Sequence, residues 1–89
     1  MGWRIELARS VEKDLKKINP TDSRRIARFL RERIAPLDDP RSIGEPLHGP
    51  ELNRFWKYRV GHYRIIASIE DERLVILVVR FGHRQNVCR

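Results

Sequence analysis

Gly61-His62 stands between two strand-like runs, FWKYRV before it and YRII after it. No other stretch restricts the fold so tightly, because glycine supplies the positive φ that the first position of a type II′ hairpin turn requires. A two-residue turn also fixes register: Val60 pairs with Tyr63, Arg59 with Arg64, Tyr58 with Ile65, Lys57 with Ile66 and Trp56 with Ala67. Cross-strand partners share a face. Trp56, Tyr58, Val60, Tyr63, Ile65, Ala67 and Ile69 therefore fall on one face, suited to cover by helices, while Lys57, Arg59 and Arg64 fall on the other beside Phe55 and Ile66. A slip of one residue would mix the two sets, so the segregation itself supports the register.

The open face carries an electrostatic problem. Arg59 opposite Arg64, with no acid in the local sequence, is a repulsive pair. Either an anionic ligand belongs there, or the cations reach water or an acid from the 36–53 connection.

The rest of the chain supplies the cover. Residues 3–7, WRIEL, alternate as a half-buried strand does, and Ser10 offers an oxygen to cap a helix bearing Val11, Leu15 and Ile18 on one side and ending near Asn19. Asn19-Pro20 reads as the N-cap and first position of a second helix, with Asp22 in its first turn and Ile26, Phe29, Leu30 and Ile34 as its apolar stripe; it should stop before Pro36. Residues 35–53 are rich in Pro and Gly and keep neither periodicity. Strand character then returns at about 54–60, 63–69 and 73–81, the last of them apolar on both faces and so expected in the sheet interior beside strand 3–7. The predicted fold class is α+β: a small, antiparallel-rich four-stranded sheet with two N-terminal helices packed on one face, in the order β-α-α-β-β-β. Residues 1–89 read as a single domain, since 89 residues with 40% hydrophobic content fill one modest core.

A net charge of +7 attracts polyanions at long range, nucleic acid foremost. The single Cys88 pairs with no second cysteine, and no secretory pattern opens the chain, so a reducing cytoplasm is the expected compartment. The longest apolar run, 74–79, is too short to span a bilayer, and no membrane partner is expected. His48, His62 and His83 lack metal-ligand spacing; no metal and no cofactor is expected. Gly82 reads as the end of the last strand, which brings His83 and Arg84 to the rim beside the hairpin.

At WKYRVGHYRII followed by VVRFGHRQNVCR the chain resembles the RelE/ParE toxin superfamily of prokaryotic type II toxin–antitoxin systems, and within it the RelE-like branch. The likeness runs from the opening strand through the helix with Val11, Asp14, Leu15 and Ile18 and the piece GEPLHG to the terminal GHR-x-x-V. It implies a sheet with helices on one face and a basic face opposite. It also implies an endoribonuclease that enters the ribosomal A site, cuts mRNA, and is held inactive in a hetero-oligomer with a cognate antitoxin. Attack by a ribose 2′-hydroxyl on the adjacent phosphate needs a base, an acid and fixed cations, and no metal. By resemblance Lys57, Arg64 and Arg84 fall on catalytic positions of the family; His83 joins them in the candidate catalytic set, and the candidate RNA contacts are Arg54, Lys57, Arg59, His62 and Cys88. Phe55 or Trp56 stands where some members carry a second lysine. Cys88 stands where RelE-like members usually place a base-stacking tyrosine. A thiol does not stack, and His83, with histidine's ordinary pKa of about 6.5, is the acid/base candidate that remains. Two other readings stay open: a ParE-like inhibitor of DNA gyrase that cuts no RNA, and a weakly active toxin that acts mainly as an antitoxin-binding module.

Overall fold

The computed structural model describes residues 2–50, 52 and 54–83, with only the backbone of His83. Along it run β1 (Arg4–Leu7), α1 (Arg9–Lys17), α2 (Pro20–Phe29) continued by a π-wound turn (Leu30–Ile34), β2 (Glu45–Pro46), β3 (Phe55–Val60), β4 (Tyr63–Glu70) and β5 (Val75–His83). The strands form one sheet in the order β1-β5-β4-β3-β2, with β1 parallel to β5 and the other pairs antiparallel. The α+β class and the element order are those expected, with β5 inside the sheet between β1 and β4. The difference is a fifth strand, the two-residue β2, in the connection where no periodicity announced one.

The hairpin pairs in the predicted register at every rung from Val60↔Tyr63 to Trp56↔Ala67. Gly61 has φ +60, and His62 is not among the residues with positive φ, so the turn matches type II′ rather than I′. Tyr58, Val60, Ile65 and Ala67 join Ile76, Val78 and Phe81 beneath Val11 of α1 and Ile26, Leu30 and Ile34 of the second helix, forming one buried cluster on one side of the sheet.

The second helix opens as expected: Asn19 Oδ1 accepts the Thr21 N–H at 2.7 Å, and Pro20 follows the cap. Its last turn widens, the Ala35 N–H donating to Leu30 O at 2.9 Å. The wider winding keeps Ile26, Leu30 and Ile34, spaced in fours, on the core side up to the stop before Pro36. The first helix departs from expectation. Its N-cap is Ala8, not Ser10, and it ends at Lys17. The Ala8 N–H donates to Val78 O at 2.9 Å, so the chain leaves the β1–β5 ladder directly into the helix and Ser10 lies within the first turn.

The 35–53 connection is tied down by bonds that no sequence periodicity encodes. Tyr58 Oη donates to Pro40 O at 2.7 Å and Trp56 Nε1 to Ile43 O at 2.6 Å. Arg41 makes a two-pronged pair with Asp71, at 2.7 and 3.1 Å. Burial pushes the Tyr58 phenol well above its ordinary pKa, so it remains a donor at any physiological pH. The hydrogen bonds from Arg41 hold the Asp71 carboxyl below the usual carboxylate range.

β5 contains a bulge that the sequence did not announce. Ala67 pairs with Val78 but Ile66 pairs with Arg80, leaving Val79 as the extra residue. The strand also runs later than expected, from Val75 rather than 73, because Asp71–Arg73 form a 3-10 turn ending in the left-handed Leu74. Gly82 does not end it: Gly82 pairs with Arg64, and His83 with Tyr63.

Candidate functional site: a cationic cleft on the open face of the sheet

Three rungs make up the site. At the hairpin end Arg59, Arg64 and Gly82 lie side by side across β3, β4 and β5. The next rung crosses the sheet from Glu45 through Lys57 and Ile66 to Arg80, and the third holds Phe55 and Ser68. Alternation places Lys57, Arg59 and Arg64 away from the helices, as the hairpin register required. With Gly44 and Glu45 they line a cleft of about 220 Å³.

Glu45 was not legible in the sequence as a site residue. Its carboxylate lies 3.8 Å from Lys57 Nζ, which resolves part of the charge problem: an acid from the 36–53 connection does reach the basic face. The cleft nevertheless keeps three cations to one carboxylate. Glu45 is delivered by Gly44, whose φ is +81 and whose missing Cβ would stand 2.6 Å from Lys57 O and within 3 Å of the Tyr58 and Trp56 rings. Only glycine lets β2 approach β3 so closely. Gly44→Ala should therefore lift β2 off β3 and carry Glu45 away from Lys57. The expected cost is about 1–3 kcal/mol of stability, read as a lower thermal midpoint.

Arg80 is a second residue the sequence reading missed. Without the bulge, alternation from Val78 would aim Arg80 at the core and Phe81 outward. Instead Phe81 is buried, stacked on Tyr63 with ring centroids 5.3 Å apart, and Arg80 is exposed on the cationic face.

The remaining expected residues divide as follows. Arg54 is exposed next to the face, with its guanidinium 5.6 Å from the Phe55 ring centroid. His62 is exposed in the hairpin turn. The end of β5 does reach the hairpin, with the His83 backbone one rung beyond Arg64. Arg84 and Cys88 lie outside the described residues. Tyr63 Oη donates to Asp22 Oδ2 at 3.1 Å, fastening the hairpin end to the start of α2. Desolvation, and then that carboxylate, raise the Tyr63 phenol. Among the described residues no group of three His, Cys, Asp or Glu side chains is arranged to hold a metal ion.

The model of the ParE toxin of the type II toxin–antitoxin system parDE matches residues 5–87, nearly the whole chain. The chain belongs to this toxin family. It is thus a type II toxin of the RelE/ParE kind. Toxin RelG of Mycobacterium tuberculosis is 26% identical over 89 residues, covering 100% of this chain and 99% of the relative. Among solved structures, the RelBE2 toxin–antitoxin complex of Mycobacterium tuberculosis matches with a TM-score of 0.83 at 22% identity, over 97% of this chain and 95% of that one. The archaeal RelE–RelB complex from Pyrococcus horikoshii OT3 matches with a TM-score of 0.71 at 22% identity, over 98% and 100%. These structures share the family's fold: helices cover one face of the sheet, and in this chain the uncovered face is the cationic one.

Proposed function

We propose that this toxin is a ribosome-dependent endoribonuclease that cuts mRNA by attack of a ribose 2′-hydroxyl on the neighbouring phosphate. The observation that carries the reading is one cleft on the uncovered face lined by Lys57, Arg59 and Arg64, with the Glu45 carboxylate beside Lys57. A scissile phosphate seated there meets fixed positive charge where the transition state gains negative charge, and each well-placed donor of this kind is worth about 10²–10³ in rate. Proton transfer completes the step. The 2′-hydroxyl gives its proton to a base as the O2′–P bond forms; the P–O5′ bond breaks, and the leaving 5′-oxygen takes a proton from an acid. The products are a 2′,3′-cyclic phosphate and a 5′-hydroxyl. Among the described residues that line the cleft, Glu45 is the carboxylate available as base. His83 is the acid/base candidate for the other proton transfer, and Arg84 is the further cation assigned to the phosphate.

The family match is described by its ParE member, and this favours a second reading, a gyrase inhibitor that cuts no RNA. Adding the purified toxin to translating ribosomes and mapping mRNA 5′ ends, beside a gyrase supercoiling assay, separates the two. Discrete cuts with unaffected supercoiling are expected; inhibited supercoiling with intact mRNA would replace the first reading by the second. The solved relatives in complex with RelB-type antitoxins support a cognate antitoxin as the protein partner, in a hetero-oligomer that restrains the toxin.

A further inference from the structure

Beside the cationic cleft, on the same face, lies an apolar groove. Leu47, Leu52, Phe55, Ile66, Val79 and Arg80 line a volume of about 390 Å³. Ile66 is the direct cross-strand neighbour of Lys57, and Phe55 precedes Lys57 by two residues on the same side of β3, about 7 Å away at the ordinary strand rise. The face thus grades from cationic at the hairpin end to apolar at the Phe55 end within the reach of one nucleotide. The apolar floor is bordered by cations, Arg80 at one margin and Arg54 over the Phe55 ring. A single-stranded nucleic acid has the complementary character, with charged phosphates joined to bases whose faces are apolar and flat.

We propose that the groove around Phe55 is a nucleobase site, taking one unpaired base of an RNA strand whose phosphate occupies the Lys57–Arg59–Arg64 cleft. The inference deepens the ribonuclease reading and rests on it for the identity of the ligand. Phe55 is half-buried, so its ring is held in place before the base arrives and loses little freedom on binding. Stacking is tolerant of base identity. The groove therefore sets where the strand lies relative to the cleft rather than which base is read. An apolar side chain of a protein partner would match the floor but not its arginine margins.

The test measures binding, which does not depend on cleavage. A short single-stranded RNA, 2′-deoxy at its central nucleotide, is compared by fluorescence anisotropy with the same strand made abasic at the adjoining position. The parent toxin should bind the abasic strand about tenfold more weakly. Phe55→Leu, which keeps the apolar bulk but not the ring, should lose about tenfold on the intact strand and nothing further on the abasic one, and Phe55→Trp should recover most of the loss. Equal binding of both strands by the parent, or of the intact strand by parent and Phe55→Leu, overturns the proposal and leaves the groove to a protein side chain. The first comparison needs no variant, so it decides even if Phe55→Leu folds poorly. Single-turnover cleavage on programmed ribosomes tells the two failures apart. A toxin that cuts equally well with Leu at position 55 loses the base site alone, whereas one that shows the binding pattern but cuts nothing keeps the base site and loses the nuclease reading.

Discussion

Arg64→Ala should lower single-turnover mRNA cleavage on programmed ribosomes by about 10²–10³, with growth inhibition on expression lost in parallel. The side chain is half-buried in the cleft rather than in the core, so truncation leaves no internal cavity. It also removes one member of the Arg59↔Arg64 pair. Far-UV circular dichroism should be unchanged, because the buried cluster on the other side of the sheet is not disturbed. A variant that cuts at the parental rate would show that phosphate binding in this cleft is not what drives the reaction. The combination of lost activity and a retained fold is the signature of charge kept in place for a ligand.

Tyr58→Ala should do the reverse and abolish folding. Tyr58 is 1% exposed, packs edge-on against Phe29 with centroids 6.3 Å apart, and donates to Pro40 O. Removing so large a buried side chain costs about 3–5 kcal/mol, against a total of about 5–15 kcal/mol for a typical domain and the low end of that range for one this small. Insoluble expression or a broad, early unfolding transition is expected. Tyr58→Phe isolates the hydroxyl: it keeps the packing but strands the Pro40 carbonyl, for about 1–3 kcal/mol. That should appear as a thermal midpoint lower by several degrees, since about 1 kcal/mol moves a domain of this size by roughly 4–8 °C. A Tyr58→Phe protein as stable as the parent would mean that Pro40 is satisfied by water and that the connection hangs on Trp56 and Arg41.

These two residues mark what the sequence could and could not convey. Arg64 was legible because a two-residue turn is local: once Gly61-His62 closes the hairpin, parity alone assigns every residue of β3 and β4 to a face. The helix stripes and the Asn19 cap were legible for the same reason, each being a pattern that repeats or ends within a few residues. Glu45 was not. β2 has two residues, too few for any alternation, and it is positioned by contacts from 13 to 30 positions away in the chain: Trp56 to Ile43, Tyr58 to Pro40, Arg41 to Asp71. The start of α1 was misplaced because a serine near a helix start is a good cap in isolation, whereas here the β1–β5 ladder continues through Ala8 and starts the helix two residues earlier. Arg80 was missed because LVILVVRF offers no local sign that its parity changes.

That change of parity makes β5 a strand with two phases. Up to Val78 its residues keep step with β1, and beyond Val79 they keep step with the hairpin. The change of phase is what lets Phe81 pack in the core while its neighbour Arg80 turns to the opposite face of the same strand. Counting alternate residues from the core does not say which way an arginine near the end of β5 points; its distance from Val79 does. Two related toxins with arginines one position apart can present the same charge to the same phosphate, and two with arginines at the same position can present it to opposite sides of the sheet. For this chain, matching its β5 arginine to a cation of a related chain requires placing the bulge at Val79 first.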